Sequence, residues 1–265
     1  MYKLIALDCD GTLLNSRKEI TERTILAIKR AKEKGIKVVL ASARPFYRLE
    51  TFVTKLGLLT NDQYTIAFNG GLVMNNTGDD IVFSKGFSHD QVKELIEFGH
   101  ESKTAMFLYA KDCILSNVND EKYKKRNPDV QFNVIDFANT DFRDIQIYKI
   151  AYVNVPERTK ELRTKLPLDF NKRYEISSSV PQFIEFVDQG ITKSLALKLI
   201  GERNKISCNE MLAFGDEDND IPMFKLVGYG VAMGNATDEV KKFADYITGA
   251  NDEDGVAQAI EKLVL

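Results

Sequence analysis

Apolar and polar positions change rhythm twice along the chain. Residues 3–7 make a short apolar run that predicts a strand, and residues 21–34 predict a helix with Ile25, Ile28 and Ala31 on one face, ended by Gly35. The run at 36–41 is apolar on both faces, as a strand buried in a parallel sheet should be. Strand, helix and strand make a β-α-β unit, whose crossover implies a sheet covered by helices. Residues 48–56 predict another helix, and 64–68 a third strand that ends in Asn69-Gly70-Gly71.

Near residue 83 the pattern alters. Residues 88–100 predict a helix that opens on a Ser88-x-x-Gln91 capping box and carries Val92, Leu95 and Ile96 on one face. Short strands at 105–109 and 113–116 flank Lys111-Asp112, which predicts a hairpin turn. A polar stretch at 119–129 precedes a strand at 146–155, a helix from Pro156, and strands at 173–178 and 182–187. Hairpins mixed with helices indicate an α+β unit different in kind from the opening. From Lys193 the first rhythm returns, with a helix to Asn204, a Ser207-x-x-Glu210 capping box, strands at 211–214 and 229–232, and terminal helices at 237–243 and 255–263. The expected fold class is α/β, a doubly wound, Rossmann-like parallel-sheet core. Residues 1–82 and 188–265 build that core, and an inserted α+β domain occupies 83–187.

Composition narrows the partners. The 265 residues, 44% hydrophobic and 28% charged, are those of an ordinary globular protein of one or two domains. With 36 Lys and Arg against 39 Asp and Glu the net charge is -3, so no nucleic acid is expected as partner. The longest apolar runs, such as 38–41, fall far short of the roughly 18 residues of a bilayer-spanning helix, and no membrane partner is expected. The first residues lack the apolar core and cleavage site of a signal peptide, which makes a cytoplasmic location the expectation. Cys9, Cys113 and Cys208, odd in number and without C-x-x-C spacing, predict small buried residues, not a disulfide framework or a zinc site.

The candidate chemistry sits at strand ends. Asp8-Cys9-Asp10-Gly11-Thr12 follows the first strand, at the edge where open α/β sheets bind ligands. Alternation puts Asp8 and Asp10 on one side, and two close carboxylates repel unless a cation lies between them or one is protonated. Asp-Gly is also a common turn pair, so this segment alone is open to a purely structural reading. A second acidic cluster, Gly215-Asp216-Glu217-Asp218-Asn219-Asp220, follows another apolar strand, and a parallel sheet would bring it close to Asp8. Together the clusters suggest a hard-cation site of the kind Mg²⁺ uses, with one or two carboxylates and retained waters. An EF-hand fails, because Ile221 stands where that loop needs Gly and Val227 where it needs Glu. Ser42-Ala43-Arg44 brings a hydroxyl and backbone N–H groups to the same edge, suited to a phosphate oxygen or to a helix cap. Lys193 begins a helix against the dipole preference, a weak sign of a partner anion. No thiol-phosphatase C-x₅-R, no phosphate loop and too few histidines for a Ser-His-Asp triad leave carboxylate chemistry with a metal.

These segments resemble the haloacid dehalogenase-like hydrolase superfamily, in particular its Cof-type phosphatases with a large α/β cap between the second and third motifs. Asp8-Cys9-Asp10-Gly11-Thr12 is similar to the first motif, Ser42 to the second, Lys193 to the third and the 215–220 cluster to the fourth. The flanking Phe68-Asn69-Gly70-Gly71 and Gly190-Ile191-Thr192-Lys193 agree, while Ala43 and Ser194 stand where the family usually has Gly. The resemblance implies that Asp8 attacks phosphorus to form an aspartyl-phosphate and that Asp10 serves as general acid and then base. It implies Mg²⁺ held by Asp8, Asp216 and the backbone carbonyl of Asp10, with Asp220 ordering metal waters or Lys193. Ser42, Lys193, Asn219 and Arg44 would bind the phosphoryl oxygens, and the cap would contact the leaving group of a small phosphorylated metabolite, a sugar phosphate in the first instance. A monomer or weak homodimer is expected. Two other readings stay open: a sugar phosphomutase similar to the phosphomannomutases, and a phosphate-sensing module that does no turnover.

Overall fold

The structure is a computed structural model that describes residues 1–126, 131–178 and 180–265. Its strands in chain order are β1 (Leu4–Leu7), β2 (Lys37–Ala41), β3 (Tyr64–Ala67), β4 (Leu72–Asn75), β5 (Ile81–Ser84), β6 (Ala105–Ala110), β7 (Cys113–Ser116), β8 (Gln131–Val134), β9 (Ile147–Val153), β10 (Tyr174–Ser177), β11 (Phe183–Asp188), β12 (Met211–Gly215), β13 (Tyr229–Ala232) and β14 (Tyr246–Ile247). The chain divides into two compact units, Met1–Ser84 with Thr192–Leu265, and Lys85–Ile191.

In the first unit eight strands form one sheet, ordered β14-β13-β12-β1-β2-β3-β4-β5. The six from β14 to β3 are parallel, and β4 and β5 add an antiparallel edge. Strands β1 and β2 are almost wholly buried, as expected of a sheet covered on both faces. On one face Leu4, Ala6, Val39 and Ala213 pack with Ala196, Leu197 and Ile200 of the helix Lys193–Asn204 and with Met223 and Phe224 of the helix Ile221–Leu226. The helices Glu22–Glu33 and Gly255–Leu263 pack against each other. Thr21 caps the former, its hydroxyl accepting from the Thr24 amide. Burying Thr24, Ala27, Ile28 and Ala31 leaves Leu26 outside the apolar stripe, 58% exposed.

The second unit is a six-stranded sheet, ordered β10-β11-β9-β6-β7-β8, antiparallel except between β7 and β8. Val92 and Leu95 of the helix His89–Glu101, Leu162 of the helix Pro156–Thr164 and Phe170 pack on Met106, Leu108, Ile150, Tyr152 and Ile184. The Ser88–Gln91 capping box forms with both reciprocal bonds. Strand alternation puts Lys149 and Glu185 on the other face, where they pair at 2.7 Å with the ammonium 4.4 Å from the Tyr109 ring centre.

Several boundaries differ from the sequence expectation for local reasons. The core sheet runs on through β5, past residue 82, because β4 and β5 extend it as a hairpin. At the return, β11 runs to Asp188, so its last residue pairs in the inserted sheet with Tyr174. The expected helix at 48–56 is a 3₁₀ turn, Phe46–Arg48, followed by the helix Glu50–Lys55. Within the polar stretch, Glu121–Arg126 is a helix, while 127–129 lie outside the described residues. Cys9 is buried as expected, and Cys113 and Cys208 are half-buried; all three are free thiols.

Candidate active site

Strands β1 and β12 are neighbours, and the chain winds outward from them in opposite directions, β2 and β3 one way, β13 and β14 the other. Such a switch point opens a crevice at the carboxyl ends of the strands. Asp8 follows β1 directly and Asp216 follows β12, so both project at that crevice. The Asp8 amide donates to the Phe214 carbonyl at 3.1 Å, which extends the β1–β12 pairing to the crevice edge.

Lys193 binds the two acidic segments together. It is the first residue of the helix Lys193–Asn204, and the Thr192 hydroxyl caps that helix by accepting from the Leu195 amide at 3.1 Å. The ammonium, 1% exposed, donates to Asp8 Oδ1 at 2.6 Å and to Asp220 Oδ1 at 2.7 Å. Burial alone would lower its pKa, but the charges of Asp220 and Asp8 outweigh that and hold it above the ordinary lysine value. The lysine that ran against the helix dipole thus has two carboxylates as its partners.

Asp220 has both carboxylate oxygens engaged. Its Oδ1 accepts from Lys193, and its Oδ2 accepts from the backbone amides of Asp216 and Glu217 at 3.0 and 3.1 Å. Asp216 accepts from the Thr12 hydroxyl at 2.7 Å, a partner the sequence reading quoted without a role. Burial raises the Asp216 carboxyl to about 7; the Thr12 bond opposes the shift, and Asp220 and Glu217 add to it. Burial likewise pushes Asp8 well above the usual carboxylate range, opposed by Lys193 and reinforced by Asp220 and Asp216. Gly11 is required at the first loop, because it has φ +84° and a Cβ there would lie 2.1 Å from Asp216 Oδ2.

Oxygen atoms of Asp8, Asp216 and Asp220 lie within 4.8 Å of one another. Three carboxylates against one ammonium leave a net negative cluster of hard donors, which suits a divalent cation. Since Asp220 spends both oxygens on Lys193 and the loop amides, Asp8 and Asp216 are the carboxylates with capacity to spare. That count is what Mg²⁺ takes when it keeps several waters.

The remaining expected residues divide. Ser42 is buried at the end of β2, its hydroxyl accepting from the Arg44 amide at 3.2 Å. Asn219 donates through Nδ2 to Asn69 Oδ1 at 3.1 Å, and its buried Oδ1 has no hydrogen-bond partner among the described residues. Asp10 turns its carboxylate to Arg44 and Lys18 and away from the Asp8–Asp216–Asp220 cluster. Its burial would raise its pKa, but Arg44 and then Lys18 overcome this and hold it well below the usual range. Asn69 and Lys18 are site neighbours that the sequence reading did not assign. The Asn-Gly-Gly run was a signal for Asn69, since Asn tolerates the left-handed φ of +57° it adopts. Nothing local marks Lys18.

Known proteins resemble this chain over nearly its whole length. The chain is 34% identical over 272 residues to the protein YxeH of Bacillus subtilis (strain 168), covering 100% of this chain and 99% of the other. It is 32% identical over 268 residues to the 5-amino-6-(5-phospho-D-ribitylamino)uracil phosphatase YcsE of the same organism, covering 99% and 96%. A solved structure of a haloacid dehalogenase-like hydrolase from Bacteroides thetaiotaomicron superposes with a TM-score of 0.88 at 34% identity, over 99% of this chain and 100% of that one. The model of the haloacid dehalogenase-like hydrolases matches residues 5–260. With nearly every residue of the chain inside these matches, the protein belongs to the haloacid dehalogenase-like hydrolase family, as an enzyme of its Cof-type phosphatases.

Proposed function

We propose that the protein is a Mg²⁺-dependent phosphatase that hydrolyses a small phosphorylated metabolite, of the sugar-phosphate class, through an aspartyl-phosphate on Asp8. The observation that carries this reading is the position of Asp8: buried at the end of β1, paired with Lys193, and within reach of the same cation as Asp216. In the first step a carboxylate oxygen of Asp8 bonds to phosphorus, the ester P–O bond breaks, and the leaving oxygen takes a proton from Asp10, which can carry one only when its bonds to Arg44 and Lys18 loosen. In the second, water bonds to phosphorus, its proton passes to Asp10, and the Asp8–phosphorus linkage breaks to release phosphate.

The residues divide the work. Asp8 and Asp216, with the backbone carbonyl of Asp10, hold Mg²⁺, while Asp220 keeps Lys193 and the loop amides in place. When bound, Mg²⁺ supplies positive charge against the phosphoryl oxygens. Lys193, Ser42 and Asn219 bind those oxygens, Asn219 through the second N–H of its Nδ2, the first being donated to Asn69. Charge spreads over the equatorial oxygens in phosphoryl transfer, so positioned donors contribute most of the acceleration. Support for the substrate class comes from YcsE, whose name specifies a phosphorylated ribityl compound.

The test is phosphate release from a panel of phosphorylated metabolites with Mg²⁺ and then with a chelator. Chelator-sensitive release, strongest on sugar or polyol phosphates, is the expected result. Bisphosphate-dependent isomerisation would identify a phosphomutase, and slow release indifferent to Mg²⁺ would identify a sensing module.

A further inference from the structure

Residues 8–21, which follow β1, form no helix or strand of their own, so their backbone groups find partners one by one. The Leu13 amide donates to the Asp8 carbonyl at 3.2 Å, and the Leu14 amide to the Cys9 carbonyl at 2.9 Å. The Gly11 carbonyl accepts from Asn235 Nδ2 at 2.8 Å, a residue from the far end of the chain. Of the carbonyls from Asp8 to Gly11, only that of Asp10 accepts no hydrogen bond among the described residues.

Asn235 is held in turn. It lies in the loop after β13, and its Oδ1 accepts from the Asn251 amide at 2.9 Å, so both ends of its amide group are fixed. Asn251 opens the 3₁₀ turn Asn251–Glu253 after β14, and its Nδ2 donates to the Leu14 carbonyl at 2.9 Å. Asp252 of the same turn accepts from the Ser16 amide at 2.8 Å. In a sheet ordered β14-β13-β12-β1, the loops after β13 and β14 thus reach past the end of β12 to grip the loop after β1. The loop they pass carries Asp216, which meets the gripped segment through the Thr12 hydroxyl and the close approach of Gly11.

Folding stability is a poor explanation for the Asn235 bond. The side chain is exposed, and a hydrogen bond open to water gains little over the one it replaces. Geometry is a better one. Gly11 has no Cβ to restrict the two peptides it joins, so the peptide on its far side needs an outside hold.

We propose that Asn235, braced by Asn251, is a positioning residue for the metal site. By holding the peptide between Gly11 and Thr12 it keeps the Asp10 carbonyl available to the cation on one side of Gly11. On the other side it sets the Thr12 hydroxyl, which orients Asp216. Asn235 acts through these groups and is itself no ligand. This rests on the reading of the acidic cluster as a Mg²⁺ site given above, and the experiment separates the two.

Mg²⁺ affinity is read from the rise in Tm across a Mg²⁺ series and, independently, from the Mg²⁺ concentration at half-maximal rate on nitrophenyl phosphate. The proteins are wild type, Asn235→Ala, Asn235→Ser, Asp252→Ala and Asp216→Ala. By both readings Asn235→Ala should weaken Mg²⁺ binding about tenfold, the lower end for removing a group that orients a metal ligand. Its kcat at saturating Mg²⁺ should stay within about threefold of wild type, and its metal-free Tm should be nearly unchanged. Asn235→Ser is too short to bridge both partners and should behave alike, which keeps the test in hand if Asn235→Ala folds poorly. Asp252→Ala cuts a tie of the same kind at Ser16, farther from Asp10, and should leave Mg²⁺ affinity within about twofold. Affinity within about twofold of wild type in the Asn235 variants would overturn the proposal. So would an equal loss in Asp252→Ala, because general loosening of the loop would then account for the effect. If Asp216→Ala binds Mg²⁺ as tightly as wild type, or wild type binds none, the metal reading fails and the proposal with it.

Discussion

A carboxylate that is to attack phosphorus has to be ionised, and at Asp8 burial works against ionisation while Lys193 alone opposes it. The same conflict at Asp216 gives a pH signature. Its carboxyl is raised from 3.8 to about 7 in the metal-free fold, so the folded state binds more protons than the unfolded one between those values. The contribution of Asp216 to the stability of the metal-free protein should therefore fall as pH rises from about 4 to about 7, and Mg²⁺, which favours the ionised form, should offset that loss. The rise in Tm on adding Mg²⁺ should be larger at about pH 7.5 than at about pH 5, and an equal rise at both would count against Asp216 as a ligand. Asp216→Ala should also raise the Mg²⁺ concentration needed for half-maximal rate. Lys193→Ala should lower kcat/KM by at least about tenfold, because roughly 1.4 kcal/mol of transition-state stabilisation equals that factor; a loss under twofold would remove Lys193 from the phosphoryl site.

At the scale of elements, the crevice depends on two loops that follow adjacent strands and nearly touch. Gly11 is the point of contact, and Gly11→Ala tests it. The new methyl would strain a residue at φ +84° and press on the Asp216 carboxylate, so kcat/KM should fall by about a hundredfold while the circular dichroism spectrum is retained. Activity within twofold of wild type would mean that the two loops separate in the working enzyme. What could be read in the sequence follows from this geometry. Asp8, Ser42 and Asp216 each stand next to an apolar run, and a parallel sheet brings such ends to one edge, so local pattern plus topology finds them. Lys193 was readable because it contradicts the helix dipole. Asn69 was not assigned because its partner Asn219 is brought to it by long-range folding, and Lys18 because its contact with Asp10, eight residues away, depends on loop backbone at positive φ. The β4–β5 hairpin was missed for another reason. Strand β5 is an edge strand with Ile81 half-exposed, and its polar and apolar residues do not alternate as a one-sided strand would.

At the scale of the whole molecule, all the site residues belong to the unit of Met1–Ser84 and Thr192–Leu265. If the inserted unit governs only leaving-group selection, replacing residues 85–191 by a Gly/Ser linker should leave a core that hydrolyses nitrophenyl phosphate but no longer ranks metabolites as the full chain does. The cut follows the structure, since one at 83 would remove Phe83 and Ser84 of β5, which pair with Val73 and Leu72 in the core sheet. Circular dichroism checks that the shortened core folds, and a folded core with the wild-type ranking would move specificity into the first unit. The covalent role of Asp8 is tested most directly by kcat/KM of Asp8→Asn on nitrophenyl phosphate at saturating Mg²⁺, with folding verified. The amide is a poor nucleophile and a weaker metal ligand, so the expected result is a loss of at least about ten-thousandfold. Mg²⁺-dependent hydrolysis within about tenfold of wild type would contradict an aspartyl-phosphate on Asp8.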